Sequence, residues 1–131
     1  MIKECISIQT QKRTQMIDIT QHIFDFIAKY KINNGKIHLQ VPHTTAGLTI
    51  NENCDPDVQY DLCQGIDKLI PKSFNQRHCE GNSDAHLKSS LIGVNLDIFV
   101  FDGQPLLGTW QGVYFWEFDG ARTRKIYIIS E

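Results

Sequence analysis

The sequence predicts an α+β fold, a small and mostly antiparallel β-sandwich with two main helices. In the first half of the chain, segments with helical periodicity interleave with segments of alternating apolar and polar residues. The last third is rich in β-branched and aromatic residues, which favour strands. Two Asp-Gly pairs, Asp102–Gly103 and Asp119–Gly120, separate these late segments and are typical of hairpin turns. Interleaved helices followed by hairpins indicate helices packed on a largely antiparallel sheet.

Six segments have the alternation or the β-branched and aromatic content of a strand. The predicted strands lie near residues 2–9, 15–19, 36–42, 94–101, 112–118 and 124–130.

Three segments have the pattern of helices, and the first two are the main ones. The predicted helices cover residues 20–33, 56–70 and 85–92. Thr20 is the predicted N-cap of the first helix. The second begins at Asp55 and Pro56, because Asp caps a helix and Pro costs nothing at its first position, and it ends before Pro71. Gly93 closes the third.

Composition limits the class of protein. The 131 residues fit one domain, residues 1–131, and 41% hydrophobic with 21% charged residues is the balance of a globular chain. Thirteen Lys and Arg against fifteen Asp and Glu give a net charge of −2. That balance argues against a broad nucleic-acid surface but leaves room for a local phosphate pocket.

Hydropathy and cysteine usage predict the compartment. The mean hydropathy of −0.28 and the lack of a long apolar run exclude a membrane span. The chain starts without the apolar core of a secretory signal. Its four cysteines, at positions 5, 54, 63 and 79, form no CxxC pair, which favours reduced thiols over a disulfide framework. We therefore expect a cytoplasmic protein.

Polar residues without an evident structural purpose concentrate in three segments. These segments are residues 42–53, 78–86 and 108–122. They flank predicted strand and helix ends, where loops on a rigid frame bring distant side chains together.

Three histidines in these segments are candidate metal ligands. His78 and His86 lie eight residues apart, and a loop that folds back would bring both imidazoles to one point. His43 would supply a third nitrogen, and three imidazoles with an open fourth position suit Zn²⁺. Glu80 would orient or complete the set. The alternative is three separate roles: a capping His86, a surface His78 and a hydrogen-bonded His43.

Other candidates surround the histidines in sequence. Thr44 and Thr45 precede a turn that would present N–H groups to an anion, although a plain turn explains them equally. Glu52 and Asn53 lie in a run with little hydrophobic purpose, part of which helix capping explains. Asp61 on the second helix either faces a cleft or is solvated.

The third segment offers an aromatic face and cations. Trp110 and Gln111 stand between two glycines, so Trp110 either stacks on a ligand ring or anchors a strand crossing. Arg122 and Arg124 alternate on the last predicted strand and share a face. A guanidinium there would clamp a phosphate through two hydrogen bonds, or would pair with acids on a solvated edge.

Four motifs together resemble one family. The first combines His43-Thr44-Thr45-Ala46-Gly47 with Asn51-Glu52-Asn53 and Asp55-Pro56-Asp57-Val58. The others are Glu80-Gly81-Asn82-Ser83-Asp84-Ala85-His86-Leu87-Lys88, Leu107-Gly108-Thr109-Trp110-Gln111-Gly112 and Glu117-Phe118-Asp119-Gly120-Ala121-Arg122. In this order over nearly the whole chain, they resemble the YjbQ-like proteins, often labelled secondary thiamine-phosphate synthase enzymes. The family usually has Pro in place of Ala121.

The resemblance implies a small α+β sandwich that forms a homotrimer. Its label implies that a hydroxymethylpyrimidine pyrophosphate and a thiazole phosphate are joined with release of pyrophosphate, as a side activity. The family's pattern carries over to His43, Glu52, Asn53, Asp61, His78, His86, Trp110, Gln111 and Arg122.

We therefore expect a phosphorylated small-molecule substrate in a pocket lined by the histidines, Arg122 and the turn at Thr44 and Thr45. A divalent metal, zinc or magnesium, would neutralise pyrophosphate charge. Two alternatives stay open: a trimeric module that binds a metal or a small ligand without turnover, and a metal-dependent hydrolase that uses Glu52 or Glu80 as base. No nucleic-acid or membrane partner is expected.

The predicted strand near 112–118 gives a separate reason to expect an oligomer. It places large apolar side chains on both of its faces, including Tyr114, Phe115 and Trp116. A small domain rarely covers both faces of such a strand by itself. We therefore expect part of this strand to lie between subunits.

Overall fold

The computed structural model describes residues 1–131, and it has eight strands and three helices. The first half contains β1 (Ile2–Gln9), β2 (Gln15–Asp18), α1 (Thr20–Lys29), β3 (Gly35–Gln40), β4 (Ala46–Glu52) and α2 (Pro56–Leu69). The second half contains α3 (Ser83–Ile92), β5 (Asn95–Phe101), β6 (Gln104–Pro105), β7 (Gln111–Glu117) and β8 (Thr123–Ser130). This is the α+β fold that the sequence predicts.

The strands form two sheets, and every strand pair is antiparallel. Sheet A has the order β1-β8-β3-β5-β6, and sheet B has the order β2-β7-β4. None of the three helices is long and apolar enough to cross a membrane.

A central core lies between the sheets and α1. Its sixteen buried residues include Ile23 and Phe26 of α1, Ile37 of β3, Phe115 of β7 and Ile128 of β8. Their side chains alternate along each strand, so one face of each strand faces this core, as the period of two requires.

A second core lies on the other face of sheet B, under α2 and α3. Tyr114, Trp116 and Phe118 pack there with Ile66 of α2 and Ala85 of α3. Strand β7 is therefore covered on both faces inside one chain, because two helices close its outer face. The expectation that this strand needs a subunit interface is wrong.

Several boundaries differ from the sequence prediction. Strand β4 was not predicted, and helix α1 ends at Lys29, because Lys31 takes a positive φ of 52° that breaks the helix. Thr20 is not its N-cap, since Thr20 is the first helical residue and its N–H donates to Asp18. Asp119–Gly120 does not form a hairpin, because β7 and β8 belong to different sheets.

Other local predictions agree with the structure. The Asp55 side chain accepts a hydrogen bond from the Asp57 N–H and caps α2, with Pro56 at its first position. Asp102 and Gly103 form the β5–β6 turn with φ of 51° and 75°. Both residues have the left-handed φ that a type I′ hairpin turn requires.

A buried ion network fixes α3 in place. The Lys88 ammonium is fully buried and donates to Asp84 at 2.9 Å and to Asp67 of α2 at 2.7 Å. Arg13, in the β1–β2 loop, donates to both Asp84 oxygens. Burial raises the pKa of Asp84, but the hydrogen bonds from Arg13 and Lys88 outweigh it and hold this pKa below its ordinary value. The network ties three separate segments of the chain together.

We expect Lys88→Met to destabilise the fold by about 3 kcal/mol or more, because it removes one partner of a buried charge network. The matched variant Lys68→Met changes an exposed lysine on α2 and should cost within about 0.5 kcal/mol. Urea denaturation followed by circular dichroism measures both free energies of unfolding. Equal losses in the two variants would contradict this account.

Candidate functional site

A polar cleft opens at the end of sheet B where β4 begins and β7 ends. It has a volume of about 370 Å³, and its lining is polar apart from Pro42. The other lining residues are His43, Thr44, Thr45, Glu80, Asn82, His86, Asp119, Arg122 and Arg124. They come from three places in the chain: the β3–β4 loop, the N-terminal turn of α3 with the residues before it, and the β7–β8 connection with the first residues of β8.

A buried ion pair forms the base of this cleft. Glu117 is completely buried and Arg124 is 3% exposed. The Arg124 Nε and Nη2 atoms donate to the Glu117 carboxylate, and Nη2 also donates to Thr45 Oγ1 at 2.7 Å. The Arg124 Nη1 atom has no hydrogen-bond partner in the chain, and Arg124 lines the cleft. One end of this guanidinium is therefore fixed, and the other offers donors to a ligand.

The Glu117 carboxylate holds the surrounding backbone as well. Its oxygens accept hydrogen bonds from Thr10 Oγ1 at 2.8 Å and from the N–H groups of Phe118 and Asp119. Thr10 Oγ1 in turn accepts from the Arg122 N–H at 2.9 Å. The carboxylate thus neutralises Arg124 and also orders the β7–β8 connection, which carries two further cleft residues.

His43 is held by a backbone N–H near the start of strand β8. Its Nε2 atom accepts a hydrogen bond from the Lys125 N–H at 2.9 Å, so the ring proton of neutral His43 lies on Nδ1. Burial lowers the pKa of His43, and the positive charges of Arg124 and Arg122 lower it further. His43 is therefore neutral at pH 7 and has one N–H left to donate.

The start of α3 forms the opposite wall. The Asn82 Nδ2 atom donates to Asp119 Oδ2 at 2.8 Å, and the Asn82 Oδ1 atom is buried without a partner. Arg122 is held over the same wall, because its Nη2 atom donates to Asp119 Oδ2 at 3.1 Å and its Nε atom to the Asp119 carbonyl. His86 lies in the first turns of α3 and lines the same cleft.

A second cavity of about 440 Å³ continues the cleft. It shares His43, Thr44 and His86 with the first and extends to Ser89 and Ser90 on α3. The shared lining makes one elongated cleft, long enough for a ligand larger than a single phosphate, and its second part exposes more apolar than polar surface.

The expected three-histidine metal site is not assembled within one chain. The Lys125 N–H already occupies the His43 Nε2 lone pair, and His78 Nδ1 lies 2.8 Å from Ser83 Oγ. The rings of His78 and His86 stand edge to face at 5.4 Å, with Glu80 3.5 Å from His78 Nε2. No group of three or more His, Cys, Asp or Glu side chains has an arrangement that would hold a metal. The residues therefore do not fit the tetrahedral zinc centre that we expected.

Four predicted site residues lie at the other end of sheet B. We call Glu52, Asn53, Trp110 and Gln111 the far-end cluster. Glu52 pairs with Gln111 at one end of the β4–β7 ladder, whereas the cleft lies at the other end, where Ala46 pairs with Glu117. The six steps from Ala46 to Glu52, at about 3.3 Å each, place the two ends roughly 20 Å apart. The far-end cluster therefore cannot contact a ligand in the cleft of its own chain.

Asn53 packs closely against Gly112 in the far-end cluster, although Asn53, Trp110 and Gln111 are all exposed. A Cβ atom on Gly112 would lie 2.6 Å from the Asn53 amide nitrogen, so only glycine allows this approach. Asn53 also donates to Asp18 at 3.4 Å. Trp110 is 60% exposed.

Asp61 belongs to neither group. It lines a separate, more apolar groove of about 400 Å³ between α2 and β4, together with Leu62, Leu69 and Trp116.

The sequence analysis proposed His43, Thr44, Thr45, Glu80, His86 and Arg122, which do share the cleft. It offered Arg124 beside Arg122 as a possible phosphate clamp but kept only Arg122 among its site residues, and it selected none of Glu117, Asn82 and Asp119. One signal for Arg124 was available: it alternates with Ile126 and Ile128, which places it on the buried face of β8.

Fold and site together define a class of protein: a small α+β sandwich with a polar cleft beside a buried Arg–Glu pair. A family model described as UPF0047 protein YjbQ-like matches residues 4–130. The chain belongs to this family.

Relatives and solved structures agree with that placement. A UPF0047 protein of Methanocaldococcus jannaschii is 53% identical, with 92% of this chain and 88% of the relative covered. The UPF0047 protein YugU of Bacillus subtilis is 48% identical over 94% of each chain. A crystal structure of a YjbQ/UPF0047 family protein from Clostridium acetobutylicum has a TM-score of 0.95 and 44% identity, covering 98% of this chain and 99% of that one.

These comparisons correct the expected activity. The relatives above are described only as UPF0047 proteins, the Clostridium protein as uncharacterized, and a similar structure from Sulfolobus solfataricus as a protein of unknown function. None of them is named a thiamine-phosphate synthase, so the comparisons do not support that activity and we withdraw it as an assignment for this chain.

We expect His43 to titrate below 6.5, the ordinary histidine value, in a ring-proton NMR titration. In the unfolded chain His43 takes up its proton near 6.5, whereas in the folded chain it does so only at lower pH. Its contribution to stability is therefore lost as pH falls below about 6.5. The pH dependence of the free energy of unfolding in this range should be shallower in His43→Gln, which keeps an acceptor for Lys125. An unchanged slope would show that another group is responsible.

Proposed function

We propose that the cleft binds a phosphorylated small molecule. The observation that carries this proposal is the buried Arg124 guanidinium, which is fixed by Glu117 and Thr45 while its Nη1 atom stays unpartnered at the base of the cleft. A guanidinium held in this way loses little conformational freedom when it binds a phosphate oxygen. Charge-assisted hydrogen bonds of this kind are stronger than neutral ones.

Other donors point to the same class of ligand. Arg122 adds a second guanidinium, half exposed at the rim, and His43 has one ring N–H to donate. The nearby carboxylates are not all free to repel an anion, since Asp119 already accepts from Arg122 and Asn82. Because the part of the cleft beside Arg124 offers little apolar surface, a ligand there must bind through polar and charged groups.

Binding of a divalent metal ion stays a prediction, and no cluster of ligand side chains in the chain supports it. The proposed donors to the anion are the protein's own Arg124, Arg122 and His43, and none of them needs a metal ion. Measuring the affinity with and without added Mg²⁺ or Zn²⁺ separates binding by the protein's donors from binding of a metal–phosphate complex.

We expect Arg122→Ala to weaken the binding of inorganic pyrophosphate about tenfold, because it removes a charge-assisted contact of about 1.4 kcal/mol. Arg77→Ala is the matched control, since Arg77 is exposed and lies outside the cleft lining. Isothermal titration calorimetry at fixed ionic strength gives both affinities. Equal weakening in the two variants would indicate nonspecific attraction, and a wild type that does not bind pyrophosphate or phosphate would overturn the proposal.

We also propose that the chain assembles into a homotrimer. The support is the family resemblance together with the open outer face of sheet A, which no helix covers. Phe99 and Phe101 on β5 are each 54% exposed on this face, and Tyr127 and Ile129 on β8 are half-buried on the same face, with β3 between the two strands. Apolar side chains grouped on one open sheet face are typical of an interface.

Light scattering after size exclusion should therefore give about 45 kDa, three chains of 15.0 kDa each. Phe99→Glu should lower this mass, because it puts a charge into the apolar contact. Phe24→Glu, on α1, is the control and should leave it unchanged. A wild-type mass of one chain would exclude the trimer.

A cytoplasmic location is the remaining proposal. It is supported by the four cysteines, all of which are unpaired and three of which are exposed. Exposed thiols persist in reducing compartments.

A further inference from the structure

The residues of the family motifs lie in two separate groups, one at each end of sheet B. The cleft contains His43, His86 and Arg122, whereas the far-end cluster contains Glu52 and Trp110, roughly 20 Å away along β4. Nothing in the chain covers Trp110, which is 60% exposed. An exposed tryptophan beside polar groups is the residue type most enriched at binding interfaces.

We propose that the far-end cluster of one subunit completes the cleft of a neighbouring subunit, so that the functional site is shared between two copies of this chain. This inference rests on the proposed anion binding for its functional meaning. Its structural part, that the far end of one chain lies at the cleft of the next, is tested independently below.

Charge favours this pairing of surfaces. Residues 51–61 contain four carboxylates and no lysine or arginine, and none of the four is in an ion pair. The outer face of sheet A has the opposite balance. Lys36 pairs with Asp97 on this face, which leaves Lys3 and Lys125 as its lysines outside an ion pair. Complementary charge of this kind steers and orients association.

The outer face of sheet A also leads directly to the cleft. Lys125 belongs to this face, and its backbone N–H donates to His43 in the cleft. A neighbour whose acidic far end rests on the lysines and on Tyr127 therefore lies beside the cleft opening. In this position its Trp110 would supply a flat aromatic surface and an indole N–H donor beside the polar part of the cleft.

The symmetry of such a contact agrees with a trimer. The two surfaces are different, so the contact is heterologous, and a heterologous contact closes into a ring when the rotation between subunits allows it. A ring of three copies would contain three equivalent shared sites. A twofold dimer would instead need the same surface on both subunits.

Two native cysteines give a direct test of the contact. Cys54 is exposed beside Asn53 in the far-end cluster, and Cys79 is exposed beside Glu80 at the cleft. Because the two cysteines lie at opposite ends of sheet B, a short bismaleimide linker cannot join them within one subunit. It can join Cys54 of one subunit to Cys79 of the next if the proposed contact exists.

The experiment uses the full chain with Cys5→Ser, which removes the exposed thiol on the outer face of sheet A. Brief treatment with the linker should give covalent dimers and trimers on a denaturing gel. Adding Cys54→Ser or Cys79→Ser should each abolish these bands. Bands that survive either substitution, or a chain that yields only monomer, would overturn the inference whatever the cleft binds.

The functional arm uses inorganic pyrophosphate as the probe. Trp110→Ala should weaken its binding about tenfold, because it removes the indole N–H, a hydrogen-bond donor to a phosphate oxygen, whereas Phe24→Ala, an aromatic change on α1, should not. When His86→Ala and Trp110→Ala subunits are coexpressed, random assembly should restore about one quarter of the tight sites, because each restored site needs one intact half from each parent.

The two arms separate the possible failures. If the wild type does not bind pyrophosphate but the cysteines cross-link as expected, the proposed ligand class fails and the shared cleft stands. If the wild type binds and Trp110→Ala binds equally well, or if coexpression restores nothing, the far-end cluster does not belong to the site.

Discussion

The Arg124–Glu117 pair is the interaction on which the site depends. Both groups are almost completely removed from water, which is costly unless each charge is paired and hydrogen-bonded. Glu117 satisfies this condition through contacts to Thr10, to Arg124 and to two backbone N–H groups. These contacts join β1, β7 and β8, which lie in two different sheets. The pair therefore sets how the sheets meet at the cleft, and the cleft residues are positioned by that junction.

The opposite wall depends on a second buried charge network. Lys88 and Asp84 are one turn apart on α3, and both are inaccessible to solvent. Through Arg13 and Asp67 they bind α3 to the β1–β2 loop and to α2. This connection fixes the rotation of α3 about its axis, and that rotation decides that His86 faces the cleft. Helix α3 has almost no apolar stripe, so charge rather than hydrophobic periodicity orients it.

The sequence predicted the fold class and most elements because their periodicity is clear. Strand β4 was not predicted because its polar residues suggested a loop. Its alternation is also weak at the start, where Gly47 packs so closely against Gly93 that a Cβ would lie 2.8 Å from the Gly93 carbonyl. The covering of β7 could not be predicted either, since periodicity shows that both faces are apolar but not which helices close them.

The candidate site was predicted in part for a similar reason. Polar motif residues marked the right loops, and the six that share the cleft were among them. The pattern of residue types along the chain does not show which ends of two paired strands lie together. The far-end cluster was therefore grouped with residues at the opposite end of the paired strands β4 and β7. For Arg124 a phosphate clamp could not be separated from a solvated edge, and Glu117 was not selected, because charged residues are rarely fully buried unless they are paired and the partner of each is invisible in sequence.

The charge balance of the cleft has a consequence for binding. Arg124 is neutralised by Glu117 and Arg122 by Asp119, while His43 is kept neutral by burial and by the two guanidinium groups. Glu80 is the remaining charged residue of the lining and lies at its exposed edge, so the cleft without a ligand holds many donors with little net charge. A phosphate that enters adds negative charge without displacing a carboxylate. Its charge opposes the guanidinium groups that lower the pKa of His43, so binding and protonation of His43 favour each other. The same donors that recognise the anion thus make its affinity depend on pH through a histidine that does not carry charge in the free protein.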